Sequence, residues 1–206
     1  MKDGCWYAEP REGRAGLRMV ISAFLEVPTY EVDLPDSLAR TRVARGDWIV
    51  RTSATTQKKL QALEEIIRAE LRRTIHFEKR TVERDTIVVT GRYAFRPLPG
   101  DDPNRLYLFA NEDATEKAEA DSLPQLWKDL ANGMGIAIDD RTAPTTNARI
   151  AYTCDGNLLN ALYSSPIDTE KDLPALLDNL AKQTGLTFTV KKQPREIWFA
   201  VEDSRS

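Results

Sequence analysis

The sequence predicts a mixed α+β protein built from two related modules, each with helices packed on a small, mostly antiparallel sheet that ends in a β-hairpin. Amphipathic helical stripes, short runs rich in β-branched and aromatic residues, and the return of this order in the second half of the chain predict this class. Hydrophobic residues make up 41% and charged residues 30% of the 206 residues. These proportions are typical of a globular protein and not of a disordered one.

The first module is expected to span residues 14–112. Leu17, Val20, Ile21 and Phe24 share one face of a predicted helix over 14–25. The segment 48–52 has strand character, and a longer helix follows to about residue 72, with Thr55 or Thr56 as its N-cap. Alternation over 74–78 and an apolar run over 86–90 then predict a hairpin with its turn at 83–85.

The linker between the modules is placed in the polar segment 111–121, after a Pro-rich stretch at 97–103 and a short strand over 106–109. The second module is expected to span residues 120–203. Its first helix begins after Ser122 as N-cap and ends at Gly133 or Gly135.

The rest of the second module repeats the same kinds of pattern. A strand is expected over 136–139 and another over 148–153, with a short helix around 158–163. Thr169 is expected to cap the last helix, whose stripe consists of Leu173, Leu176, Leu177 and Leu180. The predicted final hairpin pairs 186–190 with 197–201.

The two halves align with each other in sequence. Residues 58–63 match residues 171–176, and the closing strand segments of the two halves also correspond. Amphipathic helices followed by strands are frequent in proteins. This internal repeat therefore has two alternative explanations, common ancestry of the halves and chance similarity.

Composition excludes several functional classes. A net charge of −3 and a pI near 5.4 argue against a general nucleic-acid binder, which needs surplus Lys and Arg to displace counterions. No apolar run approaches the roughly 18 residues of a membrane-spanning helix. The first residues lack a signal-peptide pattern, and whether a leader has been removed stays open.

The sequence supplies no recognisable catalytic residue, cofactor site or metal site. Cys5 and Cys154 are too few for a zinc site, and whether they pair stays open. His76 is the only histidine, and strand alternation places it on the solvent side. The Gly-rich segment 133–135 ends a helix, whereas a phosphate loop should begin one.

Two sets of residues remain as candidate sites. Asp139, Asp140 and Arg141 are candidates for a ligand cleft between the modules, although turn chemistry is the plainer explanation. Trp198 and Phe199 must point to opposite faces of a strand, so one of them is a candidate contact surface. Core packing is the favoured alternative for both aromatic side chains.

Several segments resemble an uncharacterised, soil-associated bacterial domain family of unknown function. The resemblance is carried by residues 18–24, by 60–63 with 75–80, by the Asp-Arg-Thr turn at 140–142, and by Gln-Thr-Gly-Leu at 183–186. The chain departs from the family pattern after Thr142, where Ala143 and Pro144 follow. Residues 176–186 also resemble the short N-terminal modules of secretins and TonB-dependent receptors.

These resemblances imply an α+β interaction or scaffolding module of the bacterial envelope or periplasm. They imply another envelope protein as partner, and they supply no catalytic residue. We therefore expect a non-enzymatic protein without a cofactor that does not bind nucleic acid. The alternative is a small-ligand binder or enzyme that uses carboxylates and Arg141 in the cleft between the modules.

Overall fold

The computed structural model describes residues 5–8, 16–39, 41, 48–51, 53–98, 104–108, 116–143, 150–154 and 172–203. The chain is a mixed α+β protein, as predicted, and it divides into two compact units. The first unit contains residues 1–83 and 194–206, and the second contains residues 84–193.

Most elements of the first unit come from the N-terminal third of the chain. In chain order they are β1 (Cys5–Ala8), α1 (Leu17–Leu25), a 3-10 turn (Thr29–Glu31), β2 (Val32–Asp33), α2 (Asp36–Ala39), β3 (Trp48–Arg51) and α3 (Thr56–Leu71). The Thr55 hydroxyl accepts from the backbone N–H of Lys58, which confirms Thr55 as the N-cap of α3. The apolar stripes of α1 and α3 pack into one core.

Two long strands replace both predicted hairpins, so the hairpin predictions were wrong. β4 runs without interruption from Ile75 to Gly91, and β9 runs from Thr187 to Glu202. The charged segment 79–85 lacks the Gly, Asn and Pro residues that favour tight turns. Its side chains stay solvated in an extended strand, as they would in a turn, and composition therefore suggested a turn that does not form.

β4 and β9 are hydrogen-bonded neighbours in a four-stranded sheet of order β2-β9-β4-β7. In the first unit Asp203 donates its backbone N–H to Thr74, and Lys79 lies at Trp198. In the second unit Asp85 pairs with Lys192. Residue numbers rise on one strand as they fall on the other, so the two strands are antiparallel.

The second unit contains the end of β4, the start of β9 and the following elements: β5 (Leu106–Tyr107), β6 (Glu116–Ala120), α4 (Leu123–Met134), β7 (Ala137–Thr142), β8 (Ile150–Cys154) and α5 (Asp172–Thr184). β7 joins the four-stranded sheet parallel to β4, and β5, β8 and β6 form a second sheet. The sheets are therefore mixed, whereas mostly antiparallel sheets were expected.

The core of the second unit is formed by side chains from both halves of the sequence. Ile87 and Val89 of β4 pack with the leucine stripe of α5 and with the apolar face of α4. Ser122 caps α4 as predicted, and Gly135 ends it in the left-handed conformation at φ 70°.

The compact units have different bounds from the predicted modules 14–112 and 120–203. Residues 84–112 belong to the second unit, and residues 194–203 belong to the first. The predicted linker 111–121 contains β6, which pairs with β8. Asp139 lies in strand β7 as predicted, and the same strand continues through Asp140 and Arg141, where a turn was expected. The predicted helix at 158–163 and the Thr169 cap lie outside the described residues, and the sequence repeat stays a prediction.

Candidate functional site

The three residues of the predicted ligand cleft lie on β7 of the second unit, and they do not converge on one point. Asp139 accepts from Nε and Nη2 of Arg141 at 2.9 and 2.7 Å, and Gln193 donates to the same carboxylate oxygen at 3.3 Å. Asp140 points to the opposite face of the strand and accepts the backbone N–H of Thr142. The Asp139 and Arg141 charges thus neutralise each other on the sheet surface.

The candidate contact residues Trp198 and Phe199 lie on β9 in the first unit, and both side chains are half-buried. Trp198 packs against the core of this unit, and Nζ of Lys79 lies 5.8 Å from its ring centroid. Cζ of Arg80 lies 4.9 Å from the centroid of Phe199. Each aromatic ring is therefore covered in part by a cation from β4, which is a stabilising arrangement.

The only histidine contacts the residue that directly follows β9. Nδ1 of His76 lies 3.0 Å from Asp203, and both side chains are about half exposed. Arg73 and Ser37 also bind this segment through the Glu202 carboxylate. His76 thus helps to hold β9 against β4, at the surface of the first unit.

A polar group that sequence reasoning missed lies in the first unit around Glu31. Burial raises the pKa of the Glu31 carboxyl above its ordinary value, Glu196 adds to the rise, and Arg195 and Lys79 oppose it. Burial and the Glu31 charge also raise the pKa of the neighbouring Tyr30 phenol. The group draws on the 3-10 turn, β4 and β9, so no local sequence pattern reveals it.

Replacement of Glu31 by Gln is expected to stabilise the protein at pH 7. Because the folded-state pKa is raised, the protonated carboxyl contributes stability below the unfolded pKa, and this contribution is lost as pH rises through the folded pKa. Thermal unfolding of Glu31→Gln and wild type should give a higher Tm for the variant at pH 7 and converging values near pH 4. A lower Tm for the variant at pH 7 would show that Arg195 and Lys79 outweigh burial.

Two stretches of sheet edge form the candidate site. β7 pairs with β4 only over Thr86–Gly91, and β2 pairs with β9 only at Trp198 and Phe199. Within the described residues, no other strand covers the outer side of β4 in the first unit or of β9 in the second. We call residues 79–83 the β4 edge and residues 188–192 the β9 edge.

The hydrogen bonds around β4 show which backbone groups point outward. In an antiparallel pair, alternate residues direct both backbone groups at the partner strand, and the residues between them direct theirs away. Thr74 accepts from β9, whereas the Phe77 N–H goes to Glu64 of α3 and the Gly91 carbonyl accepts from Ala143. Odd-numbered residues of β4 therefore direct their backbone groups outward.

The same reasoning applies to β9, where even-numbered residues point outward because Asp203 donates to β4. Pro194 occupies one of these outward positions, where the missing N–H costs no ladder hydrogen bond. Val190 is also at an outward position, and it is 45% exposed. Pro and Lys are common on edge strands, where they limit pairing with other chains.

Two features are absent from the described residues. They contain no cluster of three or more His, Cys, Asp or Glu side chains that could hold a metal ion. In this part of the chain no helix has the length and apolar character needed to cross a membrane. The side chains of Cys5 and Cys154 are not among those described.

The chain matches no family model, no curated protein and no solved structure. The Gln-Thr-Gly-Leu segment at 183–186, which carries part of the family resemblance, has a structural role. Gln183 binds the backbone of β5, and Thr184 accepts the Leu186 N–H while it donates to Leu180. Gly185 has φ 67°, a conformation that favours glycine.

Proposed function

We propose that the protein is a non-enzymatic interaction module that binds an extended segment of another protein along the β9 edge. The observation that supports this most directly is the exposed outer side of β9 in the second unit, where no strand of the described chain is paired. Added strands bind through backbone hydrogen bonds, and alternate side chains provide the specificity.

The β9 edge offers both kinds of contact. The outward backbone groups of Phe188, Val190 and Lys192 provide donors and acceptors for an added strand. Val190 is exposed and apolar, and Lys192 is exposed beside Asp85 at 3.3 Å. Pro194 ends the row of outward donors, so the added segment is short.

The charged residues of the described sheet surfaces favour a binding role over catalysis. Asp139 is neutralised by Arg141 and Lys79 by Glu196, and His76 is hydrogen-bonded to Asp203. The resemblance to the soil-associated family and to envelope modules suggests an envelope protein as the partner. We therefore propose that the protein binds another envelope protein by strand addition at the β9 edge.

The test compares two substitutions at one position. Val190→Pro removes the outward N–H, and Pro194 at an equivalent position shows that the strand accommodates proline there. Val190→Thr keeps the N–H and the branched side chain. In pull-downs from an envelope extract, the partner retained by wild type should also be retained by Val190→Thr and lost by Val190→Pro.

Circular dichroism should show that all three proteins are folded before the comparison is made. Equal retention of the partner by Val190→Pro would contradict strand addition at the β9 edge. Turnover by the purified protein on a broad hydrolase panel, abolished by His76→Ala, would contradict a non-enzymatic role.

A further inference from the structure

We propose that the β4 edge pairs with the β4 edge of a second copy of this chain, across a two-fold axis at Thr81. This inference rests on the proposed role as an interaction module, and it names a second partner and a second surface. The two chains would form a continuous antiparallel ladder, which is an isologous interface.

The β4 edge is open between two limits. Toward its N-terminus, the outward N–H of Phe77 is already bound by Oε1 of Glu64 at 2.9 Å. Toward its C-terminus, β7 begins to pair with β4 at Thr86. Between these limits Lys79, Thr81 and Glu83 have exposed side chains and outward backbone groups.

Backbone geometry restricts the register of such a pair. A two-fold axis at any residue from 79 to 83 sets odd-numbered residues opposite odd-numbered residues, so outward groups meet outward groups. An axis between two residues would instead set outward groups against groups that already bind β9, and it is excluded. Five residues therefore remain as possible centres of the edge.

Side-chain charge then selects one of these five centres. An axis at Arg80 places the two Arg80 side chains opposite each other, and an axis at Val82 places Arg80 of each copy opposite Arg84 of the other. An axis at Lys79 places two Lys79 side chains opposite each other, and an axis at Glu83 places two Glu83 side chains opposite each other. Like charges directly opposite are destabilising. With the axis at Thr81, the two Thr81 residues face each other, and Lys79 of each copy lies opposite Glu83 of the other.

The pairing preserves the contacts that the chain already makes. Lys79 lies against Glu196 at 2.5 Å and against the Trp198 ring, and its side chain remains 42% exposed. A second carboxylate on the same face extends this ion pair into a network. Because the edge is short, the interface is smaller than a standard one of about 1,600 Å², and we expect the dimer to dissociate on dilution.

Cross-linking at Thr81 tests the register. Directly opposed residues of a hydrogen-bonded antiparallel pair have Cα atoms about 5.5 Å apart, within the range that a disulfide spans. In a Cys5→Ser, Cys154→Ser background, Thr81→Cys should give a covalent dimer under mild oxidation at high protein concentration. Thr189→Cys, an exposed threonine of β9, is the matched control and should stay monomeric.

Complementary charge variants test the partner. In Glu83→Lys the new lysine of each copy lies opposite Lys79 of the other copy, and in Lys79→Glu the new glutamate of each copy lies opposite Glu83 of the other. Like charges then repel, so neither variant alone should self-associate in sedimentation velocity. Their equimolar mixture restores opposite charges at both positions and should sediment as a dimer. Circular dichroism checks that each variant is folded.

Absence of the Thr81→Cys covalent dimer, or self-association of both single charge variants at the wild-type level, would overturn the inference. Thr81→Pro provides a further measurement, because it removes an outward N–H that β9 does not use, and it should be monomeric. The two proposals can fail separately. If Val190→Pro abolishes partner binding, and neither wild type nor any variant self-associates, the proposed function stands and only the proposal of a dimer is wrong.

Discussion

Separating the chain into fragments 1–112 and 113–206 is expected to leave both fragments unfolded and to give a folded complex when they are mixed. The first fragment lacks Trp198 and Ala200, which pack on the core of the first unit. The second lacks four core side chains, namely Ile87, Val89, Leu106 and Leu108. Burial of each contributes about 1.5–3 kcal/mol, and the four together rival a typical total stability of about 5–15 kcal/mol.

Amide proton spectra of each fragment and of the equimolar mixture measure this effect. Dispersed resonances should appear only in the mixture. Two truncated chains serve as the control. A chain that ends at Asp203 keeps every described contact and should fold, whereas a chain that ends at Gln193 lacks the part of β9 that belongs to the first unit and should not fold fully. A cooperative unfolding transition for either isolated fragment would show that a unit folds without the strand from the other half.

Gln183→Leu is expected to lower the free energy of unfolding by about 1–3 kcal/mol. Gln183 is fully buried on α5. Its amide accepts the Tyr107 N–H at 2.9 Å and donates to the Tyr107 carbonyl at 2.6 Å. The leucine side chain removes both of these hydrogen bonds, and the loss of a partner from a buried polar group costs about 1–3 kcal/mol.

Urea unfolding of wild type and variant measures the difference. The control is Gln125→Leu, since the amide of Gln125 is half-buried and binds Asp129 one helical turn away at 2.7 Å. Pairs of this kind contribute only about 0.2–0.5 kcal/mol. Equal midpoints for Gln183→Leu and Gln125→Leu would show that the β5 backbone finds another partner when Gln183 is absent.

The helices were the part of the fold that the sequence predicted best. The spacing of Leu63 and Ile67 identified the buried face of α3, and Ser122 and Gly135 bounded α4. These features depend on residues within a few turns of each other, because side-chain period and capping are local properties. The alternation of Ile75 and Phe77 likewise identified the start of a strand.

The candidate sites were harder to predict, since they depend on neighbours distant in sequence. Asp139 and Arg141 were singled out from their charge, and their i, i+2 spacing places them on one face only because the segment joins the sheet as a strand beside β4. The group around Glu31 combines residues more than 160 positions apart, such as Glu31 and Arg195. The outward direction of the Thr81 backbone follows only from the register of β4 against β9.

By itself the sequence determined the mixed α+β class, the buried faces of the main helices and the inward faces of the strands. The tertiary structure alone decided that β4 and β9 run on as single strands and that each unit contains a segment of β4 and a segment of β9. Charged side chains such as those of Arg80 and Glu83 are equally well solvated in a turn and in an exposed strand. The choice between the two depends on pairing with β9, more than 100 residues away, and no local pattern encodes that partner.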